Sequence, residues 1–301
     1  MNAKAFSLAL FSVVIWGSSF AAIRVGLQGG YDTGQNVLVR FLIASSLFLV
    51  YALWPGVKFQ LPHKGDLLRL LFLGWIGISV YHIFVTFGME TISAGTAGML
   101  VGSGPIFTAL IAAVVLKERL TRIGWLGMAI GFIGISFIAF GSNGGALTLT
   151  NGALLVVIAA FASAAFFVFQ KPLLKKYTAI ELTAYFTWAG TLPFFIFSPG
   201  LVTTLQNATL EAHLATLYVG IFPAAIAYVT WATALSLANA SSVSSVIYLE
   251  PAVAIVVSWM WLHELPTGVS LIGGIIAIAG VILVNALGRR KRVLSPEIAE
   301  A

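Results

Sequence analysis

The sequence predicts an all-α polytopic membrane protein whose ten transmembrane helices form two inverted five-helix repeats. Three observations carry this prediction: an apolar composition, a series of apolar runs each about one bilayer crossing long, and self-similarity at a constant shift of 146 residues. Of 301 residues, 59% are hydrophobic and 9% charged, and the mean hydropathy is +1.01. Lipid must therefore be the solvent for most of the surface. A net charge of +6 would suit nucleic acid, but the basic residues stand in short clusters between apolar runs. That pattern orients a membrane protein, so the bilayer and not a nucleic acid is the expected partner. Cysteine is absent, which removes disulfides and thiolate metal sites, and no cofactor is expected.

Measured against the roughly 20 residues that cross hydrocarbon, the runs place helices near 5–27, 36–54, 67–89, 92–116, 122–141, 152–170, 180–198, 212–236, 240–262 and 267–287. The first run exceeds a signal-peptide core and no A-x-A site follows it, so it reads as a permanent helix. Trp54-Pro55-Gly56, the segment Gly141 to Gly145, Ser198-Pro199-Gly200 and Leu265-Pro266-Thr267 fall between runs, where chain breakers belong. With the N-terminus inside, Lys4, Lys58, Lys64, Arg69, Lys117, Arg119, Arg122, Lys171, Lys175, Lys176 and Arg289 to Arg292 all fall on the cytoplasmic side. Both termini are expected to be cytoplasmic, in a bacterial cytoplasmic (inner) membrane. Arg24 and Arg40 remain within helices, toward their outer ends.

Residues 71–140 overlie 217–286 without a gap. Gly74/Gly220, Pro105/Pro251, Glu118/Glu264, Thr121/Thr267, Gly127/Gly273 and Gly134/Gly280 then coincide, and proline, glutamate and spaced glycine in one register are not chance apolar matches. The expected organisation is a first repeat over 1–145, a second over 146–288, and a basic then polar cytoplasmic tail over 289–301. Five helices per repeat is an odd number, so the second copy enters the membrane upside down. Charge agrees: Lys117, Arg119 and Arg122 surround Glu118, whereas His263, Leu265 and Gly268 surround Glu264.

Several stretches carry a family resemblance: Phe11 to Phe20 with Trp16-Gly17-Ser18-Ser19, Val39-Arg40-Phe41, Ser103-Gly104-Pro105 with Leu116-Lys117-Glu118-Arg119-Leu120, and Leu249-Glu250-Pro251 with Leu262-His263-Glu264-Leu265. Over nearly its whole length the chain resembles the drug/metabolite transporter superfamily, in its ten-helix EamA-type branch. The resemblance implies pseudo-two-fold symmetry in the membrane plane, a central cavity, and export or facilitated movement of amino acids, related metabolites or drugs, with aromatic amino acids favoured by some members. One departure is Phe161-Ala162-Ser163 in the sixth helix, in place of an aromatic-alanine core.

Charged groups deep in a span are expensive and point to function. Glu250 precedes Pro251, which frees carbonyls one turn back; it is a candidate for proton coupling or for holding a substrate ammonium, and the structural alternative is an ion-paired brace with Arg40 as partner. Arg40 and Glu250 are thus the candidate coupling or gating residues, with pairing favoured for Arg40 and snorkelling for Arg24. At about 100° per residue, Ser241, Ser244, Ser245 and Tyr248 share a face nearly opposite Glu250. The Ser/Tyr face is the favoured cavity lining, against a role as interhelical hydrogen-bonding glue. His82 maps by the shift onto Tyr228. With Tyr81, Trp16 and Trp231 they complete the candidate substrate-binding set of Trp16, Tyr81, His82, Tyr228, Trp231, Ser244, Ser245 and Tyr248; the bland alternative for each aromatic is packing or the interfacial belt. Small-xxx-small spacing at Gly127/Gly131 and Gly273/Ala277 predicts a close pairing of the fifth and tenth helices, or a dimer face, so monomer and homodimer both stand.

These readings converge on a secondary transporter of small polar or amphipathic metabolites, amino acids favoured, working by alternating access in the export direction, with the proton as candidate coupling ion. Alternatives are a facilitator or channel-like pathway and a multidrug or cation exporter. An intramembrane enzyme is disfavoured, since the spans carry no His-Glu-x-x-His, paired deep aspartates or Ser-x-x-Lys.

Overall fold

The computed structural model describes residues 2–115, 121–141, 149–238, 243 and 245–286, and among these every regular element is helical. The segment around Glu118, residues 142–148 with the boundary between the expected repeats, Ser241, Ser244 and the basic tail lie outside the described residues. The helices are α1 (Ala3–Gln28), α2 (Thr33–Ala52), α3 (Leu67–Gly74), α4 (Tyr81–Gly88), α5 (Ala94–Gly102), α6 (Gly104–Val115), α7 (Arg122–Phe140), α8 (Asn151–Gln170), α9 (Ala179–Thr191), α10 (Leu201–Asn207), α11 (Leu210–Ile221), α12 (Tyr228–Leu237), α13 (Glu250–Leu262) and α14 (Gly268–Ala286). Eight segments are long and apolar enough to cross a bilayer, and Val246–Leu262 and Gly268–Val284 are shorter apolar helices. Their outer faces carry bare aliphatic side chains, Leu68, Met260 and Ile275 among them. A soluble protein could not sustain such a surface; this is an integral, multi-pass membrane protein.

Hydroxyl caps begin many of the helices. Ser93, Thr121, Thr150, Thr178, Thr209 and Thr267 each accept from a backbone N–H in the first turn, which satisfies donors that lipid could not. Thr121 and Thr267 are among the residues 146 apart, and they cap α7 and α14.

Interruptions also recur in both halves. A wide π turn, Trp75–Val80, joins α3 to α4, and another, Phe222–Ala227, joins α11 to α12. Pro223 accounts for the second, having no N–H to donate. The expected fourth helix is broken: α5 ends at Gly102, and α6 starts at Gly104 with Pro105 in its first turn. Residues 245–249 form a 3₁₀ turn, after which α13 starts at Glu250 with Pro251 in its first turn. Each proline prevents the preceding helix from running through.

The seam between α7 and α14 is the tightest contact between the halves. A side chain at Gly134 would meet the Ala277 backbone and the Gly273 carbonyl, and one at Gly280 would meet the backbone of Gly131 and Gly127. Only hydrogen fits where two helix backbones approach this closely.

Two residue pairs separated by 146 positions touch directly: Ser45 Oγ lies 2.9 Å from Thr191 Oγ1, and His82 Nε2 lies 3.1 Å from the Tyr228 hydroxyl. At one end of the bundle Arg24 pairs with Glu264 at 3.4 Å and donates to the Met89 carbonyl, so it is tied and does not snorkel. At the other end Asp66 accepts from Lys176 at 3.1 Å and from the Tyr177 hydroxyl at 2.8 Å, fastening the 54–66 loop to the start of α9.

Candidate functional site

A cavity lies at the centre of the bundle and takes its lining from both halves. Trp16 and Ser19 come from α1, Arg40 and Phe41 from α2, Tyr81 and His82 from α4, Gly104 and Thr108 from α6, Ser163 and Phe167 from α8, Tyr228 from α12, and Glu250 from α13. The interruptions position these groups. Tyr81 and Tyr228 are the first residues after the two π turns, and Gly104 and Glu250 open the two helices that restart after a break.

The rings form one connected wall. His82 sits 4.6 Å from Phe41 and 4.6 Å from Tyr81, centroid to centroid. Trp16 contacts Tyr228 at 5.2 Å and stacks on Phe167 at 5.9 Å. Trp16 Nε1 donates to the Pro223 carbonyl at 3.2 Å, which fixes the indole against the second π turn. Such a wall supplies apolar area with a few placed polar tips, the usual make-up of a small-molecule pocket.

Two ionisable groups complete the lining. Arg40 is 1% exposed; its Nε donates to the Asn36 carbonyl at 3.2 Å and its Nη2 to Thr86 Oγ1 at 2.8 Å, while Nη1 has no partner. Thr86 passes its own proton to the His82 carbonyl at 2.7 Å, so Arg40, Thr86 and the α4 backbone form one chain. Glu250, in the first turn of α13, sits where the helix dipole favours a negative charge. Among the described residues neither Arg40 nor Glu250 takes part in an ion pair. The expectation that Arg40 pairs with an acidic residue and Arg24 does not is therefore reversed. Arg24 reaches Glu264 because the turn before α14 folds back over the end of α1, whereas among the described residues no carboxylate lies within 4.0 Å of Arg40.

The remaining expected residues are dispersed. Trp231 lies behind the wall, buried against Trp16 at 5.2 Å and Phe167 at 5.6 Å. Tyr248 faces a separate small void with Met99, Ser103 and Ala277. Ser245 lies in the 3₁₀ turn, its side chain outside the described atoms, and Ser244 is outside the described residues altogether. Tyr248 and Glu250 line different voids, and Glu250 is the one that faces the central cavity. The cause is tertiary: the Pro251 ring packs where a side chain at Gly102 would be, turning that flank of α13 toward α5.

Ser19, Phe41, Thr108, Ser163 and Phe167 line the cavity and were not anticipated. Ser19 lies one turn after Trp16, Phe41 follows Arg40, and Thr108 lies one turn after Gly104, so helical proximity to the anticipated positions was the available signal.

The EamA-like transporter family matches this chain twice, at residues 3–140 and 150–286. The chain is 37% identical over 89% of its length to an uncharacterized transporter, YdfC, of Bacillus subtilis, covering 86% of that protein. It is likewise 37% identical to a probable terminal-alkyne amino-acid exporter of Streptantibioticus cattleyicolor, covering 97% of this chain and 98% of the other. A probable amino-acid metabolite efflux pump of Salmonella typhimurium is 27% identical over 97% of this chain and 98% of its own. One crystal structure superposes with a TM-score of 0.67 at 18% identity, covering 95% of this chain and 98% of that one, a likeness of fold.

Proposed function

This chain belongs to the EamA-like transporter family, and from that premise we propose that it is a secondary transporter exporting small polar or amphipathic metabolites, amino acids first among them. Membership and the names of the relatives point to transport and not to catalysis. The observation that carries the reading is the central cavity, lined from both halves, which meet there in the contact between His82 and Tyr228. Two relatives are named as amino-acid or amino-acid metabolite exporters, which supports the substrate class and the direction.

Alternating access follows if the halves are inverted copies that rock about this cavity. The reading is ten spans, residues 1–145 and 146–288 as the repeats, with both termini at the cytoplasmic face of a bacterial inner membrane. It is supported by the paired breaks at Gly104 and Glu250 and by the self-matching seam of α7 and α14. Trp16, Tyr81, His82 and Tyr228 are assigned to the substrate, with Trp231 supporting Trp16 from behind. Tyr248, expected to line the cavity with Ser244 and Ser245, lines the separate void instead and is not assigned to the substrate. Glu250 is the coupling carboxylate and Arg40 its electrostatic counterpart.

Counterflow in proteoliposomes with labelled amino acids, amines and sugars tests the proposal. Saturable, protein-dependent exchange of amino acids is expected. No saturable flux across that panel would remove the transport reading. Glu250→Gln is expected to abolish the pH dependence of exchange; retention of both rate and pH dependence in folded protein would exclude proton coupling through Glu250.

A further inference from the structure

Two opposite charges face one cavity without touching. Arg40 and Glu250 are 1% and 3% exposed and both line the central void, yet no contact within 4.0 Å joins them. A buried charge is costly to hold alone, and a pair serving only stability would close to contact and satisfy its hydrogen bonds. Here one guanidinium nitrogen of Arg40 is left without a partner. The residues 146 positions away are Phe186 for Arg40 and Gly104 for Glu250, so among the described lining residues the cavity offers one guanidinium and one carboxylate. Trp16, Tyr81 and Tyr228 line the same cavity.

We infer that Arg40 and Glu250 are a two-point charge clamp selecting zwitterions: the carboxylate of a free α-amino acid lies against Arg40, its ammonium against Glu250, and its side chain against the rings. The inference rests on the transport reading for its substrate class. A zwitterion neutralises both buried charges at once. An amine or an acid of the same shape neutralises one and leaves the other desolvated and unpaired, which is where two-point recognition obtains its discrimination. Direct closure of Arg40 onto Glu250 in another conformation would also neutralise both, but it would give no preference for a ligand bearing both charges.

The test uses the purified full chain in nanodiscs, with L-phenylalanine, phenethylamine and 3-phenylpropanoate titrated at neutral pH by calorimetry, beside flux of the amino-acid panel in proteoliposomes. L-Phenylalanine is expected to bind at least about 30-fold more tightly than either single-charge analogue. Arg40→Gln is expected to invert the order, so that phenethylamine binds at least as tightly as L-phenylalanine. Glu250→Gln is expected to do the same for 3-phenylpropanoate, and Arg40→Lys to restore part of the L-phenylalanine affinity. An inverted order marks charge recognition, because general damage to the fold would weaken all three ligands together. Equal affinity of the three ligands for the unmodified protein would overturn the clamp, and so would an unchanged order in Arg40→Gln. If Arg40→Gln fails to fold, the comparison of ligands on the unmodified protein decides alone. Saturable amino-acid flux without zwitterion preference overturns the clamp and leaves the transport reading. Zwitterion preference in binding without flux of any panel member does the reverse.

Discussion

The α7/α14 seam and the central cavity divide the molecule into a part that matches itself and a part that does not. At the seam, residues related by the shift of 146 do the same job: Gly134 is pressed against Ala277 and Gly273, and Gly280 against Gly131 and Gly127. In the cavity, related positions have diverged, Arg40 against Phe186, Glu250 against Gly104 and His82 against Tyr228. Backbone approach is a demand that both copies must meet, whereas a ligand occupies one place and needs each group once. Chemistry is therefore to be sought where the copies differ.

The largest effect is expected at the seam. Gly134→Leu puts a side chain into the Ala277 backbone, which cannot yield as a flexible side chain would. A destabilisation above about 3 kcal/mol and loss of monodisperse protein on gel filtration are expected, and Gly280→Leu should match it. Gly268→Ala, with nothing within 4 Å of the added carbon, should leave the yield unchanged. Unequal effects of Gly134→Leu and Gly280→Leu would break the symmetry of the seam.

In the cavity the related positions should respond oppositely. Arg40→Met removes a buried charge and leaves the Thr86 bond to the His82 carbonyl in place, while Glu250 then faces the cavity without its counterpart. Its Tm is expected to change by only a few degrees, while amino-acid exchange falls at least about 30-fold. Phe186→Met, at the related position, loses ring contacts with Phe166 at 5.0 Å and is expected to cost about 1–2 kcal/mol while exchange persists. Equal exchange in the two variants would contradict the division. The smallest effect is expected for the contacts between residues 146 apart. Tyr228→Phe removes one hydrogen bond and Thr191→Ala two, to Ser45 and to the Thr187 carbonyl; they should cost about 1 and about 1–2 kcal/mol in thermal unfolding, with the KM for exchange altered only in Tyr228→Phe.

Much of the scaffold was legible in the sequence. Apolar run length, Pro and Gly breakers and the small-residue spacing at Gly127, Gly131, Gly273 and Ala277 are one-dimensional signals with direct physical meaning, and α7 and α14 pair through those residues. Trp16, Arg40, Tyr81, His82, Tyr228 and Glu250 were singled out, and they meet around one cavity. Less legible was which way a given face turns. Periodicity set Tyr248 and Glu250 on opposite sides of a helix, but the choice between sides depends on Pro251 meeting Gly102, a contact between residues distant in the chain. The partners of Arg24 and Arg40 were exchanged for the same reason, since depth in the membrane does not reveal which turn folds back over a helix end. The π turn at Trp75–Val80 holds no proline to announce it.

The central claim is that substrate passes through this cavity, and the absence of native cysteine allows a direct test of it. Ser163→Cys would place the protein's sole thiol in the lining, where a small methanethiosulfonate can reach it. The account predicts that labelling abolishes amino-acid exchange in proteoliposomes and that L-phenylalanine slows the labelling, whereas Ile275→Cys on the lipid-facing surface labels without either effect. Full exchange after stoichiometric labelling of Cys at position 163 would contradict it.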